Sequence, residues 1–229
     1  MQDSRYWERF PILTEKVRQD HIVHGVHGGS HDFYHALAVA QYALLIVEDT
    51  ALASLAWVAG LCHNTDKMFP AEKVSAVVQD YLDTGTDFSL DEKTLVRVAV
   101  LEHGKRNDPC DSLVTVALKD GDRLGNIGPL HWLRSAQFRP SILPVDPRYI
   151  SSQDPTATFK NPKTILRDIE HTLEWEEWLR LPKAKELGKP LFDEIRRFKA
   201  NIQKQFETLG LLPFPSELVV EPEAERSVA

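Results

Sequence analysis

Cysteine is nearly absent: the 229 residues hold two, Cys62 and Cys110. Two isolated cysteines build no disulfide framework, so a reducing cytoplasmic compartment is the expectation. Long apolar runs are missing too. No uncharged stretch approaches the ~20 residues that a membrane helix needs. Nothing after Met1-Gln2-Asp3-Ser4-Arg5 forms the apolar core of a signal peptide. Basic residues are in deficit, with 27 Lys and Arg against 34 Asp and Glu and a formal charge of -7. That balance argues against a nucleic acid polymer or a membrane as partner, since both want a basic footprint. A small phosphorylated substrate needs only a few local cations and stays open. The chain also has no strand-rich region, no glycine-rich phosphate loop ahead of a helix and no internal repeat. What is left is helical periodicity, which predicts an all-α bundle with its site between helices.

Trp7, Phe10, Leu13 and Val17 recur at helical spacing and predict a first helix over 4–20, capped by Asp3-Ser4 and kinked at Pro11. The stretch His21 to His31 carries four histidines and three glycines and reads as a loop or a broken helix end. His21, His24 and His27 are metal-type side chains there, but glycine flanks give them no fixed geometry, and the plainer reading is an exposed loop. Ser30 or Asp32 starts the next helix, which carries His35. Thr50 caps a helix over 51–65 that is apolar nearly all round and therefore buried. It ends in Cys62-His63-Asn64, where burial without partners would cost ~1 to 3 kcal/mol per polar group. Amphipathic helices follow over 71–83 and 90–102, the second running into Glu102-His103-Gly104-Lys105-Arg106. Asp111 or Ser112 caps the helix holding Lys119-Asp120-Gly121-Asp122-Arg123-Leu124, and 131–138 is a short helix after it. Residues 139–163 hold five prolines and no period, which predicts a loop whose Arg139, Arg148 and Lys160 rim the site as a lid. Helical patterns return over 163–179 and 183–209, and an acidic tail follows from 211. The organisation expected is one domain, with its core at about 20–135 and a C-terminal helical extension.

Three polar stretches thus sit on three apolar helices: Ser30-His31-Asp32-Phe33-Tyr34-His35, Leu61-Cys62-His63-Asn64-Thr65-Asp66-Lys67 and Asp120-Gly121-Asp122-Arg123-Leu124. Brought together they offer two imidazoles, an amide and a carboxylate. Such a set suits a divalent metal such as Mn, Fe, Co, Ni, Zn or Mg better than copper(I) or an iron–sulfur cluster.

In order, spacing and flanking residues this pattern resembles the HD-domain metal-dependent phosphohydrolases. Their pattern is a lone His, a His-Asp pair at the end of the next helix, and a later Asp. His35 matches the lone His, His63 the His of the pair, and Asp122 the late Asp. His31-Asp32-Phe33-Tyr34-His35 is similar to the His-Asp-x-x-His opening of one bacterial branch. Asp120-Gly121-Asp122-Arg123-Leu124 is similar to that family's Asp-Ala-Asp-Arg-Leu. The chain departs from the pattern at Asn64, where the pair has Asp. The resemblance implies an HD-domain helical bundle and a metal held by His35, His63, Asn64 and Asp122. It also implies metal-activated water attacking the phosphorus of a nucleotide or other small phosphorylated metabolite. Around that centre, Lys67, Asp66 and His103 are candidates for charge stabilisation and proton handling. His31, Arg106 and Arg123 are candidates for substrate contact. Asn64 keeps an oxygen donor but loses the charge, so an impaired nucleotide-binding module is a second reading, and an HD-type di-iron oxygenase a third. A homodimer is left open.

Overall fold

The computed structural model describes residues 5–25 and 31–219. Pro11 breaks the first predicted helix instead of kinking it. Tyr6–Arg9 (α1) is one turn, and Pro11–His24 (α2) restarts with the proline in its first turn, where a missing N–H costs nothing. The predicted Asp3-Ser4 cap, the Ser30 helix start and His27 lie outside the described residues. α2 runs four residues beyond the predicted helix, so His21 and His24 are helical and not in a loop.

Next come Phe33–Ile46 (α3), Thr50–Cys62 (α4), the single turn Thr65–Met68 (α5), Ala71–Gly85 (α6) and Leu90–Glu102 (α7). Asp32 caps α3 by accepting from the His35 N–H at 2.7 Å. Asp49, not Thr50, caps α4, accepting from the Ala51 N–H at 2.8 Å. Ser89 and Glu92 form a reciprocal capping box on α7. Leu113–Gly125 (α8) is capped by Ser112 and Pro129–Phe138 (α9) follows it. The extension comprises Ile165–His171 (α10), a 3-10 turn over Thr172–Glu176 and the long helix Pro182–Thr208 (α11).

Helices α3, α4 and α8 pack on one another and form the middle of the molecule. One apolar cluster lies on the side of α1, α2, α6 and α7, around Trp57, Tyr81, Leu82 and Leu118. The other lies on the side of α9, α10 and α11, around Ile46, Leu124, Ile169 and Phe192. Two glycines let the central helices touch through their backbones. A Cβ on Gly60 would stand 2.6 Å from the Ala40 Cα, and one on Gly121 would stand 2.9 Å from the Ala43 nitrogen.

The extension is fastened to α8 by polar side chains. Asp120, fully buried, accepts from the Arg180 and Leu181 N–H groups at 2.8 Å each and from Arg123 Nη1 at 3.1 Å. Lys119 is buried on Asp111, which also takes Arg180 Nη2 at 2.7 Å. In the loop over 139–163, Arg139 pairs with Asp168 and Arg148 with Asp146. Two of the three cations expected to rim the site, Arg139 and Arg148, are thus committed to carboxylates in and beside the loop.

Candidate metal centre

His35 leaves the first turn of α3, His63 ends α4, and Asp122 sits in the last turn of α8. The packing of these three helices brings their polar ends to one point. His35 Nε2 is 3.5 Å and His63 Nε2 3.7 Å from the same Asp122 oxygen. Among the described residues these three offer ligand atoms that all lie within 4.8 Å of one another. His35 and His63 are buried, while the Asp122 side chain keeps about a quarter of its surface open to solvent. Asn126, one turn on, donates to the Asp122 carboxylate at 2.8 Å and steadies it.

Protonation favours metal binding at His63. Its Nδ1–H donates to the Gly60 carbonyl at 2.7 Å, which leaves Nε2 as a bare lone pair. Burial, reinforced by His35 and His103 and opposed by Asp122, pushes the His63 pKa well below its ordinary value. Burial works against the Asp122 carboxylate, but the His35 ring beside it and the His63 and His103 rings hold its pKa far below the usual range. A neutral imidazole and an ionised carboxylate are the forms that ligate. Buried His63 Nε2 and buried Asn64 Oδ1 have no hydrogen-bond partner. Two orphaned acceptors beside an ionised carboxylate are what a divalent cation would satisfy, so the residues present fit one.

Asn64 is fully buried. Its Nδ2 lies 3.3 Å from His21 Nε2 and 3.3 Å from the Asp32 carbonyl. His21 in turn donates Nδ1–H to the Val17 carbonyl at 2.8 Å, and burial lowers its pKa. His21 therefore faces the amide of Asn64 and stands outside the three-residue ligand group.

His35 departs from this pattern. Its Nδ1 lies 3.1 Å from Arg134 Nη1, which also donates to the Gly125 carbonyl at 3.2 Å. A guanidinium can only donate. The contact therefore needs a bare Nδ1, and the ring proton sits on Nε2, pointing at the centre. Ligation through Nε2 requires that proton to move and the Arg134 bond to break. Arg134→Met is accordingly expected to tighten Mn binding about tenfold, the worth of one hydrogen bond to a charged group. Equilibrium dialysis of both forms checks this, and unchanged affinity would mean that the contact does not oppose loading.

The remaining expected residues divide. The His103 ring stands 5.4 Å from that of His63, with its Nδ1 on the Val100 carbonyl. The His31 ring is 5.7 Å from that of His35, and burial lowers its pKa to about 4. Asp66 and Lys67 are exposed within α5 and pair with each other at 2.7 Å. Arg106 is exposed and lines a cavity of about 230 Å³ with Asn107 and Trp178. Arg123 was expected at Asp122 or on substrate, and that is corrected. Its guanidinium binds Asp120, Asn107 Oδ1 at 2.8 Å and the Trp178 carbonyl at 3.0 Å. Successive helical residues point about 100° apart, so the neighbour of Asp122 in sequence faces the extension. Sequence reading gave no role to Arg134 or to the Asn126 contact, and it left His21 in a loop.

No protein-family model and no curated protein matches this sequence. Solved structures do resemble it. A protein from Lactobacillus plantarum superposes with a TM-score of 0.65 at 16% identity, covering 88% of this chain and 98% of its own. An HD-superfamily hydrolase from Bacillus thuringiensis gives 0.64 at 17% identity, covering 87% and 97%. Bacillus subtilis YpgQ, solved in complex with ADP, gives 0.60 at 18% identity, covering 84% and 97%. At these identities the likeness establishes the fold. The chain is an all-α protein with the fold of an HD-superfamily hydrolase.

Proposed function

We propose that this chain is a metal-dependent phosphohydrolase acting on a nucleotide or another small phosphorylated metabolite. The observation that carries the reading is the meeting of His35, His63 and Asp122 within 4.8 Å, on a fold shared with an HD-superfamily hydrolase. The ADP bound to the Bacillus subtilis neighbour favours a nucleotide among small phosphates. Bound at His35, His63, Asn64 and Asp122, a divalent metal would activate water and polarise a phosphoryl oxygen. The chain's own groups supply the rest. Asn126 holds the Asp122 carboxylate in place. His103, half-buried beside His63, is the nearest ring available to move a proton. Arg134, released from His35, is the guanidinium placed to meet a phosphate.

Asn64, where the resembled pattern has Asp, favours a second reading, a module that binds nucleotide without turning it over. One experiment separates the two. Metal content of the purified chain is measured, followed by phosphate release from a nucleotide panel with Mn, Co, Ni and Mg, before and after chelation. Release that chelation abolishes and metal restores is the expected result. Nucleotide binding without release would establish the second reading, and a chain binding neither metal nor nucleotide would remove both.

A further inference from the structure

Two acceptors face the amide nitrogen of Asn64. His21 presents Nε2 at 3.3 Å, and its other nitrogen is committed to the Val17 carbonyl at 2.8 Å. The Asp32 carbonyl oxygen faces the same amide nitrogen at 3.3 Å. Both atoms bring lone pairs and neither brings a proton. Asn64 meets them with the two N–H bonds of its Nδ2, which orients the amide and leaves Oδ1 as the atom without a partner. A carboxylate has no hydrogen to offer. An Asp here would set a charged oxygen against a carbonyl oxygen and a bare imidazole nitrogen in a fully buried position.

We propose that His21 and the Asp32 carbonyl make position 64 selective for an amide, so that the centre presents a neutral oxygen there and holds one divalent cation through a single carboxylate, Asp122. His21 is a positioning residue in this arrangement: it acts on the centre through Asn64. The single-cation part rests on the metal-dependent reading given above. Its chemistry is simple. Two cations would bring four positive charges to a site with one negative ligand. An amide oxygen, unlike a carboxylate, has one atom to give and cannot be shared across a pair of cations. Asn64 is then the residue this site is built for, and His21, far upstream on α2, is what makes it so.

The experiment uses the full-length chain, stripped of metal, with Asn64→Asp, Asn64→Leu and His21→Gln alone and combined. Glutamine reaches the place of the imidazole Nε2 and can turn either a donor or an acceptor toward position 64. Melting temperature without metal is the first readout. Asn64→Asp is expected to lower it by about 5 °C or more, and by more than Asn64→Leu, which loses the same hydrogen bonds but adds no charge. In the H21Q background the Asp penalty should shrink to less than half. An Asp variant as stable as the parent overturns amide selection, and an equal penalty in both backgrounds overturns the role of His21. Should N64D fail to fold, recovery of folding by H21Q supports the proposal, and failure in both backgrounds overturns it. Mn stoichiometry by equilibrium dialysis is the second readout. One ion per chain is expected, and two at saturation would overturn the single-cation part. A parent chain that binds no metal sinks the proposed function and the single-cation part together, while the melting temperatures still decide the pairing of His21 with Asn64.

Discussion

Asp122→Ala is expected to weaken divalent-metal binding by more than about a hundredfold while leaving the metal-free protein folded. Loss of a partner behind a metal ligand alone costs ten- to a hundredfold in affinity, and Asp122 is the one carboxylate in the group with His35 and His63. It supplies the negative charge that a cation would otherwise leave in water. Some stability is lost with it, since the His35 and His63 rings favour its ionised form. Its firm partner, however, is Asn126 on the same helix, so no contact between elements depends on a short hydrogen bond to it. A metal-free Tm within a few degrees of the parent, with hydrolysis lost, is the pattern to look for. A variant that binds Mn as tightly as the parent would take Asp122 out of the ligand set.

Two residues earlier the outcome reverses. Asp120→Ala is expected to cost roughly 3 to 5 kcal/mol of stability, the range for removing one partner of a buried charge pair. For a chain of this length that lowers Tm on the order of 10 °C. The substitution strands the Arg180 and Leu181 N–H groups and leaves the Arg123 charge with only the neutral Asn107 and Trp178 acceptors. Metal affinity of the fraction still folded should stay close to that of the parent, since no ligand atom is touched. Thermal melts and dialysis on the two variants therefore form a crossed pair. If Asp120→Ala melted like the parent, the buried network would not be what fastens the extension to α8.

Sequence alone carried the helices well where local chemistry marks their ends. Leu90–Glu102 matches its predicted span, and the Ser89–Glu92 box explains why. Breaks were harder where residue types conflict. Gly25 and the histidines around it suggested a loop after residue 20, yet α2 continues to His24 because His21 packs inward on Asn64 and Val17. The order His35, His63, Asp122 was legible because each lies on an apolar helix that must be buried, and burial forces their polar ends to meet. Arg134 was not, since its contact with His35 spans 99 positions and depends on where the fold returns α9 to the start of α3. Arg123 was misread because adjacency along a chain was taken for adjacency in space.

The glycines of the central helices set more than packing. With Gly60 against Ala40 and Gly121 against Ala43, α3 meets α4 and α8 at two points where not even a Cβ separates the main chains. Side chains adjust by changing rotamer; main chain in contact does not. The main-chain spacing behind His35 and Asp122 is accordingly a fixed gauge, and ions of different radius held in the proposed centre would find little accommodation from it. A single methyl group added at position 121, close to the ligands yet carrying no polar atom, would widen that gauge and shift preference toward larger ions. The choice of metal at the proposed centre would then be written partly in residues that never touch it.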